Sequence, residues 1–387
     1  MTPGQGYCIR APQYYSITER EVFEGVFKGI PNNGKIDAEI NVPNGCYLIG
    51  NPYPSAINAD LFIKANSSKI QGALYFWTHS TPPSNGKYSA NDCVAYNLLG
   101  GTGITSSLTS DNNTIPDGTI ASGQGFFIRC RSEGSVEFNN SMRIKARNSN
   151  FFRPSKDSSL EIENEKYRFW LNLHNGNGAL KQILLGYAKD ASNSLDYYDA
   201  QSLGSSQEID FYSILENKKM VIQGRAMPLE ESDLIKLGYK TDIKTTLNIE
   251  IDHQDSLFNE INIFLVDKVL GKYHNLSDGA YQFVSEAGSF NNRFYITYAD
   301  NTLGNKTFEG NPKNVTVAVK NRIINVESFD KSIKEIFVFD ISGNKLYDKI
   351  KLQSKKVTIE NLFSSHQVLI VKVLLEDGKS TSKKVVF

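Results

Sequence analysis

Short apolar runs that alternate with polar residues, separated by Asn-Gly, Ser-Gly and Asp-Gly pairs, recur along this chain and predict strands joined by turns. The alternation is clearest beyond Val315. Val315, Val317 and Val319 share one face, Ile336 and Val338 oppose Phe337 and Phe339, and Val357 and Ile359 repeat the pattern. Val368 to Leu375 is almost continuously apolar, which predicts a strand buried at the centre of a sheet. Ser342-Gly343-Asn344 and Glu376-Asp377-Gly378-Lys379 supply hairpin turns, and the chain stops inside a strand, Lys383 to Phe387. Residues 313–387 therefore predict a small, self-contained Ig-like β-sandwich.

Two further β segments precede it. Over 160–301, runs such as Tyr167–Leu173, Gln182–Tyr187, Thr246–Ile251, Ile261–Val266 and Arg293–Tyr298 predict a second sandwich. Over 1–152, Tyr47–Ile49, Ala73–Trp77 and Gly125–Arg129 predict strands of a β-rich domain truncated at its N-terminus. The polar passage Arg153–Ser159 reads as the boundary between these two, and Leu303–Pro312 as a linker into the last domain. Helix signals are few. The best is Asn58–Asn66, with Asn58 as N-cap and Leu61, Phe62 and Ala65 on one face. The fold class expected is all-β, two sandwich-like domains followed by the small one.

One string occurs twice, Gly4-Gln5-Gly6-Tyr7-Cys8-Ile9-Arg10 and Gly123-Gln124-Gly125-Phe126-Phe127-Ile128-Arg129, and predicts paired or pseudo-symmetric strands. A phosphate-cradling loop would need a helix after the glycines, and an aromatic β run follows instead. Residues 100–123 have loop composition throughout, and a loop of that length is the first place to look for a partner surface.

Composition narrows the chemistry. Lys plus Arg and Asp plus Glu each number 42, so no global field attracts nucleic acid. No apolar run approaches the ~18 residues that span a bilayer, which argues against a transmembrane segment. The five histidines, His79, His174, His253, His274 and His366, have no two-histidine metal spacing, and no nucleophile elbow is present. No catalytic residue, metal site or cofactor is expected. Cys8, Cys46, Cys93 and Cys130 either form two disulfides in an oxidising compartment or remain buried thiols. Asp190, Asp196 and Asp199 read as solvated loop acids rather than a calcium or carboxylate-pair site. Tyr53 and Trp77 are the candidate ligand-binding aromatics, able to stack on sugar rings if exposed.

The run Ile336-Phe337-Val338-Phe339-Asp340-Ile341-Ser342-Gly343-Asn344-Lys345-Leu346-Tyr347 is followed by Ile359–Leu362, Leu369–Val373, Asp377-Gly378-Lys379 and Lys383-Lys384-Val385-Val386-Phe387. Together these resemble the C-terminal sorting domain of flavobacterial (Bacteroidota) type IX secretion cargo. Leu362–Gln367 is most similar to the type C variant, and the Pro-Asn-Pro of type A is absent. The resemblance implies sorting-signal roles for Asp340, Gly343, Gly378, Lys383, Lys384, Val385 and Val386. It implies the type IX translocon and its shuttle or attachment machinery as partners, and a secreted or outer-membrane surface-attached destination. Gly50–Ser55, Ser122–Phe127, Phe138–Arg143 and Ile222–Pro228 resemble regions that precede such signals in large surface proteins. The functional expectation is a non-catalytic, adhesin-like region of an exported protein. The alternative is a pair of glycan-binding accessory domains serving a main part upstream.

Overall fold

The computed structural model describes residues 1–9, 14, 26, 28–77, 93–103, 115–145, 166–176, 178–204, 208–299, 315–320, 322–329, 331–340, 344–360, 362, 368–376 and 380–387. The expected boundary at 153–159, the linker at 303–312 and much of the 100–123 loop lie outside them. The protein is all-β, and it divides into two compact units, 1–300 and 301–387.

In the first part of the larger unit the elements are β1 (Ile36–Ile40), β2 (Cys46–Gly50), β3 (Ala56–Asn58), helix α1 (Ala59–Ala65), β4 (Ile70–Trp77), β5 (Cys93–Tyr96), β6 (Thr119–Ile120), β7 (Gly125–Cys130), β8 (Gly134–Phe138) and β9 (Arg143–Ile144). They form a four-stranded sheet ordered β2-β7-β4-β5, a β1-β8 pair and a small β6-β3-β9 sheet. The helix starts as expected, with the Asn58 side chain accepting the Leu61 N–H at 2.9 Å. Its buried face differs from the expected one. Ala59, Phe62 and Ile63 point inward while Ala65 is exposed, because Phe62 inserts between Phe126 and Phe138, with ring centroids 5.4 and 4.9 Å away.

The second part contributes β10 (Lys166–His174), β11 (Leu180–Ala188), β12 (Ala200–Gln201), β13 (Ile209–Leu215), β14 (Lys218–Ala226), β15 (Ile235–Thr241), β16 (Thr245–Gln254), β17 (Phe264–Asp267), β18 (Lys272–Asn275), β19 (Tyr281–Ser285) and β20 (Gly288–Thr297). They make one sheet ordered β18-β17-β20-β15-β13-β14-β11-β10-β16-β19, with β12 on β14 and a single parallel pair, β11 with β14. Its two arms fold back on each other. Phe283 of β19 lies 4.7 Å from Phe294 of β20 and 5.3 Å from Tyr239 of β15, ring to ring, although these strands belong to opposite arms. Asp267 is locked between them, accepting from Arg293 at 2.9 Å and from the Tyr281 hydroxyl at 3.0 Å. Burial alone would raise its pKa, but those hydrogen bonds outweigh it and hold the carboxyl below its usual range.

The sequence predicts separate domains at 1–152 and 160–301, whereas the structure joins both segments in one unit. The strands of the second part are apolar on two faces. Phe169, Leu171, Leu173, Ile183 and Leu185 point into the core between the arms. Trp170, Leu184, Ala188 and Ile222 belong instead to the core built on α1 and the first sheets. Polar contacts cross the same junction: Trp170 Nε1 donates to the Gly101 carbonyl at 2.8 Å, Gln182 Oε1 accepts the Gly103 N–H at 2.7 Å, and the Tyr75 hydroxyl donates to the Gln201 carbonyl at 2.7 Å.

The smaller unit holds β21 (Val315–Lys320), β22 (Ile323–Ser328), β23 (Ile333–Asp340), β24 (Lys345–Lys349), β25 (Lys356–Ile359), β26 (Val368–Leu375) and β27 (Ser380–Val386). Sheets β21-β22-β25 and β24-β23-β26-β27 enclose one core containing Ile324, Val326 and Ile359 from the first and Ile336, Val338, Leu369, Val371 and Val373 from the second. Strand β26 is central by pairing, yet Ile370 is exposed on its outer face. Its continuous apolar run therefore overstates its burial.

Candidate functional site

The repeated string resolves into a local symmetry about β2. Gly4 and Gly123 both have positive φ, and the following glutamine N–H bonds back three residues, Gln5 to the Thr2 carbonyl and Gln124 to the Ala121 carbonyl. The first copy flanks one edge of β2, where the Gly50 N–H reaches the Gly4 carbonyl and the Gly6 N–H the Leu48 carbonyl. The second copy becomes β7 on the other edge, pairing Gly125 with Gly50 and Phe126 with Ile49. The expected pair of strands is met by the second copy alone, since the first makes only an isolated bridge, Gln5 with Ile49; what the two copies share is the glycine turn.

Three of the distinctive strings meet beside that turn. Asn51 Nδ2 donates to the Ser55, Ile120 and Ala121 carbonyls, and its Oδ1 accepts the Tyr53 N–H. The Ser122 hydroxyl donates to the Tyr53 carbonyl, and Arg143 reaches the Ser55 hydroxyl and the Asn33 amide oxygen. Tyr53 is 1 % exposed and donates its hydroxyl to the Gly34 carbonyl at 2.5 Å, with the Arg143 guanidinium over its ring. Its ring is thus enclosed, which removes it as a stacking platform for a sugar. Trp77 sits half-buried at the end of β4. The knot ties the 51–55, 120–124 and 143 segments together through hydrogen bonds among its own polar groups.

The chain belongs to the family described as Domain of unknown function (DUF8693), which matches residues 1–298. A second family, Domain of unknown function (DUF8694), matches residues 303–387, so the family boundary falls where the chain divides into its two units. No curated protein matches. Solved structures with some similarity include the central fibronectin-III array of RIM-binding protein, at 7 % identity over 57 % of this chain and 87 % of that one, with a TM-score of 0.15. Tp47, the 47-kilodalton lipoprotein of Treponema pallidum, is 8 % identical over 84 % and 88 %, with a TM-score of 0.17. Scores this low leave the fold assignment to the strand pairing itself.

Within the DUF8693 unit a polar cleft among the described residues has a volume of about 210 Å³. Its floor is the turn 196–199, read from sequence as solvated. Asp199 is in fact 1 % exposed, accepting the Asp196 N–H at 2.9 Å and the Gly224 N–H at 3.2 Å. Burial raises its pKa to about 7. Asp196 accepts the N–H groups of Ser192 and Tyr198, each at 2.7 Å. Two glycines clamp the turn from either side. A Cβ on Gly72 of β4 would overlap the Tyr197 backbone, and one on Gly224 of β14 would lie 2.5 Å from the Tyr198 Cβ.

A row of amides forms the cleft's side. Arg129 Nη1 donates to Gln201 Oε1 at 3.2 Å, Gln201 Nε2 to Gln71 Oε1 at 3.2 Å, and Gln71 Nε2 to Asn44 Oδ1 at 2.9 Å. At the mouth stand Arg131 and Lys218, both exposed.

The four cysteines are all free thiols, but only Cys130 is buried, Cys93 being half-buried and Cys8 and Cys46 exposed, so neither expected state describes all four. Desolvation pushes the Cys46 and Cys130 thiols up, although the Cys46 residue is exposed overall. Among the described residues no helix is long and apolar enough to cross a membrane.

In the DUF8694 unit, Asp340 closes the β23–β24 hairpin, its carboxylate accepting the Asn344 N–H and side-chain amide at 2.9 Å each. Gly343 and Gly378 lie outside the described residues. Lys383 and Val385 pair with Val371 and Leu369. Val385 is buried, and Lys383, two residues away on the same face, is half-buried rather than displayed. The backbones of Lys384 and Val386 pair with Ile370 and Val368.

Proposed function

We propose that this protein is a non-catalytic, secreted or cell-surface chain in which residues 313–387 direct export through the type IX secretion system. The observation that supports the reading is the independence of the smaller unit. It has its own two-sheet core, and β27 belongs to that core through Val385. A signal read in the folded state requires such a module, because a fixed strand surface exists only where the sheet beneath it is stable. On this reading the translocon and its shuttle or attachment machinery are the partners, and the DUF8693 unit is the cargo.

Fusing residues 301–387 to a signal-peptide-bearing fluorescent reporter tests it. In a host with the type IX translocon the reporter is expected in the medium or on the surface, and in a translocon-deleted host it is expected in the periplasm. Periplasmic retention in the competent host refutes the proposal, and so does surface delivery without the translocon.

A further inference from the structure

The polar cleft of the larger unit rests on closely packed backbone. The turn beneath it is gripped by Gly72 and Gly224, where no side chain fits. The amides of Gln201 and Gln71 each have both their ends committed in one direction, from Arg129 toward Asn44. That polarity has a consequence. With its Oδ1 occupied, Asn44, exposed at the end of the row, has its Nδ2 left as a donor.

The remaining donors are cationic. Arg131 and Lys218 enter no ion pair among the described residues, whereas Arg168, Arg225 and Arg293 are each closed onto an aspartate. The acids below form no ion pair with them among the described residues. Both Asp199 oxygens already accept backbone N–H groups, and so do both Asp196 oxygens. Burial also holds Asp199 partly protonated near neutrality. What Asp196 retains is a second lone pair on each oxygen, suited to a ligand hydroxyl.

Leu195 is the single apolar lining residue. A cleft of about 210 Å³ has room for roughly seven waters at ~30 Å³ each, a space of the order of one substituted six-membered ring. We propose that this cleft binds a single anionic sugar residue, its carboxylate or sulfate held by Arg131 and Lys218 and its hydroxyls by Asn44 and Asp196. The site does not depend on the export reading, since it lies wholly within residues 1–300.

Titration of the full chain by isothermal calorimetry or NMR shift mapping tests it, with glucuronate, galacturonate, N-acetylglucosamine 6-sulfate, glucose and inorganic sulfate as separate probes. Saturable binding is expected for a uronate or for the sulfated sugar, and which of the two binds identifies the anion. Arg131→Ala and Lys218→Ala are each expected to weaken it at least tenfold, while Lys64→Ala on the exposed side of α1 leaves it unchanged. All three positions are exposed, and circular dichroism checks that each variant folds. The proposal is overturned if no sugar acid saturates, if glucose or inorganic sulfate binds as tightly, or if folded Arg131→Ala and Lys218→Ala variants bind as the parent does.

Discussion

At the scale of the residue, Asp199 separates what a sequence records from what a structure does with it. Its neighbours Asp190 and Asp196 and its surrounding Ser, Asn and Tyr residues carry the composition of a solvated loop. Contact with β14, distant in sequence, buries it and raises its pKa from 3.8 to about 7. The folded state therefore holds a proton that the unfolded chain has lost between those values. Stability from this group is present at low pH and declines as pH rises through that window, with a slope approaching ~1.4 kcal/mol per pH unit. Urea unfolding of residues 1–300 at a series of pH values should show this decline, and Asp199→Asn should flatten it. An unchanged slope in the variant would remove Asp199 as its source. Tyr53 repeats the lesson, since an aromatic between two prolines looks exposed, yet core packing, Arg143 over its ring and hydrogen bonds with Gly34 and Ser122 enclose it.

Among the elements, most strands were legible, but outside the hairpins of the last domain their partners were not. The N-cap of α1 follows from Asn58 alone, but its buried face was set by where Phe126 and Phe138 arrive from other strands. Glycines show the same division. Gly72 and Gly123 both have positive φ, so alanine strains the backbone at each, by ~1 kcal/mol or somewhat more. A Cβ at Gly123 meets open space, whereas at Gly72 it meets the Tyr197 backbone. Gly72→Ala should thus destabilise the larger unit by several kcal/mol and Gly123→Ala by only ~1–2 kcal/mol, read as the shift in urea midpoint. Equal losses would mean that the close approach of β4 to the 196–199 turn carries no energetic weight.

The whole molecule turns on faces that sequence periodicity left ambiguous. Continuous apolar runs such as Phe169-Trp170-Leu171 and Ile183-Leu184-Leu185 depart from alternation, and that departure was the available sign that their sheet is covered on both sides. Residues 1–300 should accordingly melt in a single calorimetric transition, and residues 301–387 should fold and melt alone. Residues 160–300 expressed without the first segment should bind a hydrophobic dye, because Trp170, Leu184 and Ile222 lose their cover. A dye-silent, cooperatively folded 160–300 fragment would restore two separate front domains.

The sequence by itself determined the strand content, the helix cap, the hairpins of the last domain and the resemblance that suggests export. Each of these depends on residues adjacent in the chain or on a short period. The tertiary structure alone decided that two segments share one unit, that Tyr53 is enclosed, that the cysteines stay unpaired and that Asn44, Gln71, Arg131, Asp196, Gln201 and Lys218 line one cleft. Those outcomes depend on which strands meet, through side-chain packing and close backbone approach between residues from 19 to 130 positions apart, and no local pattern encodes them.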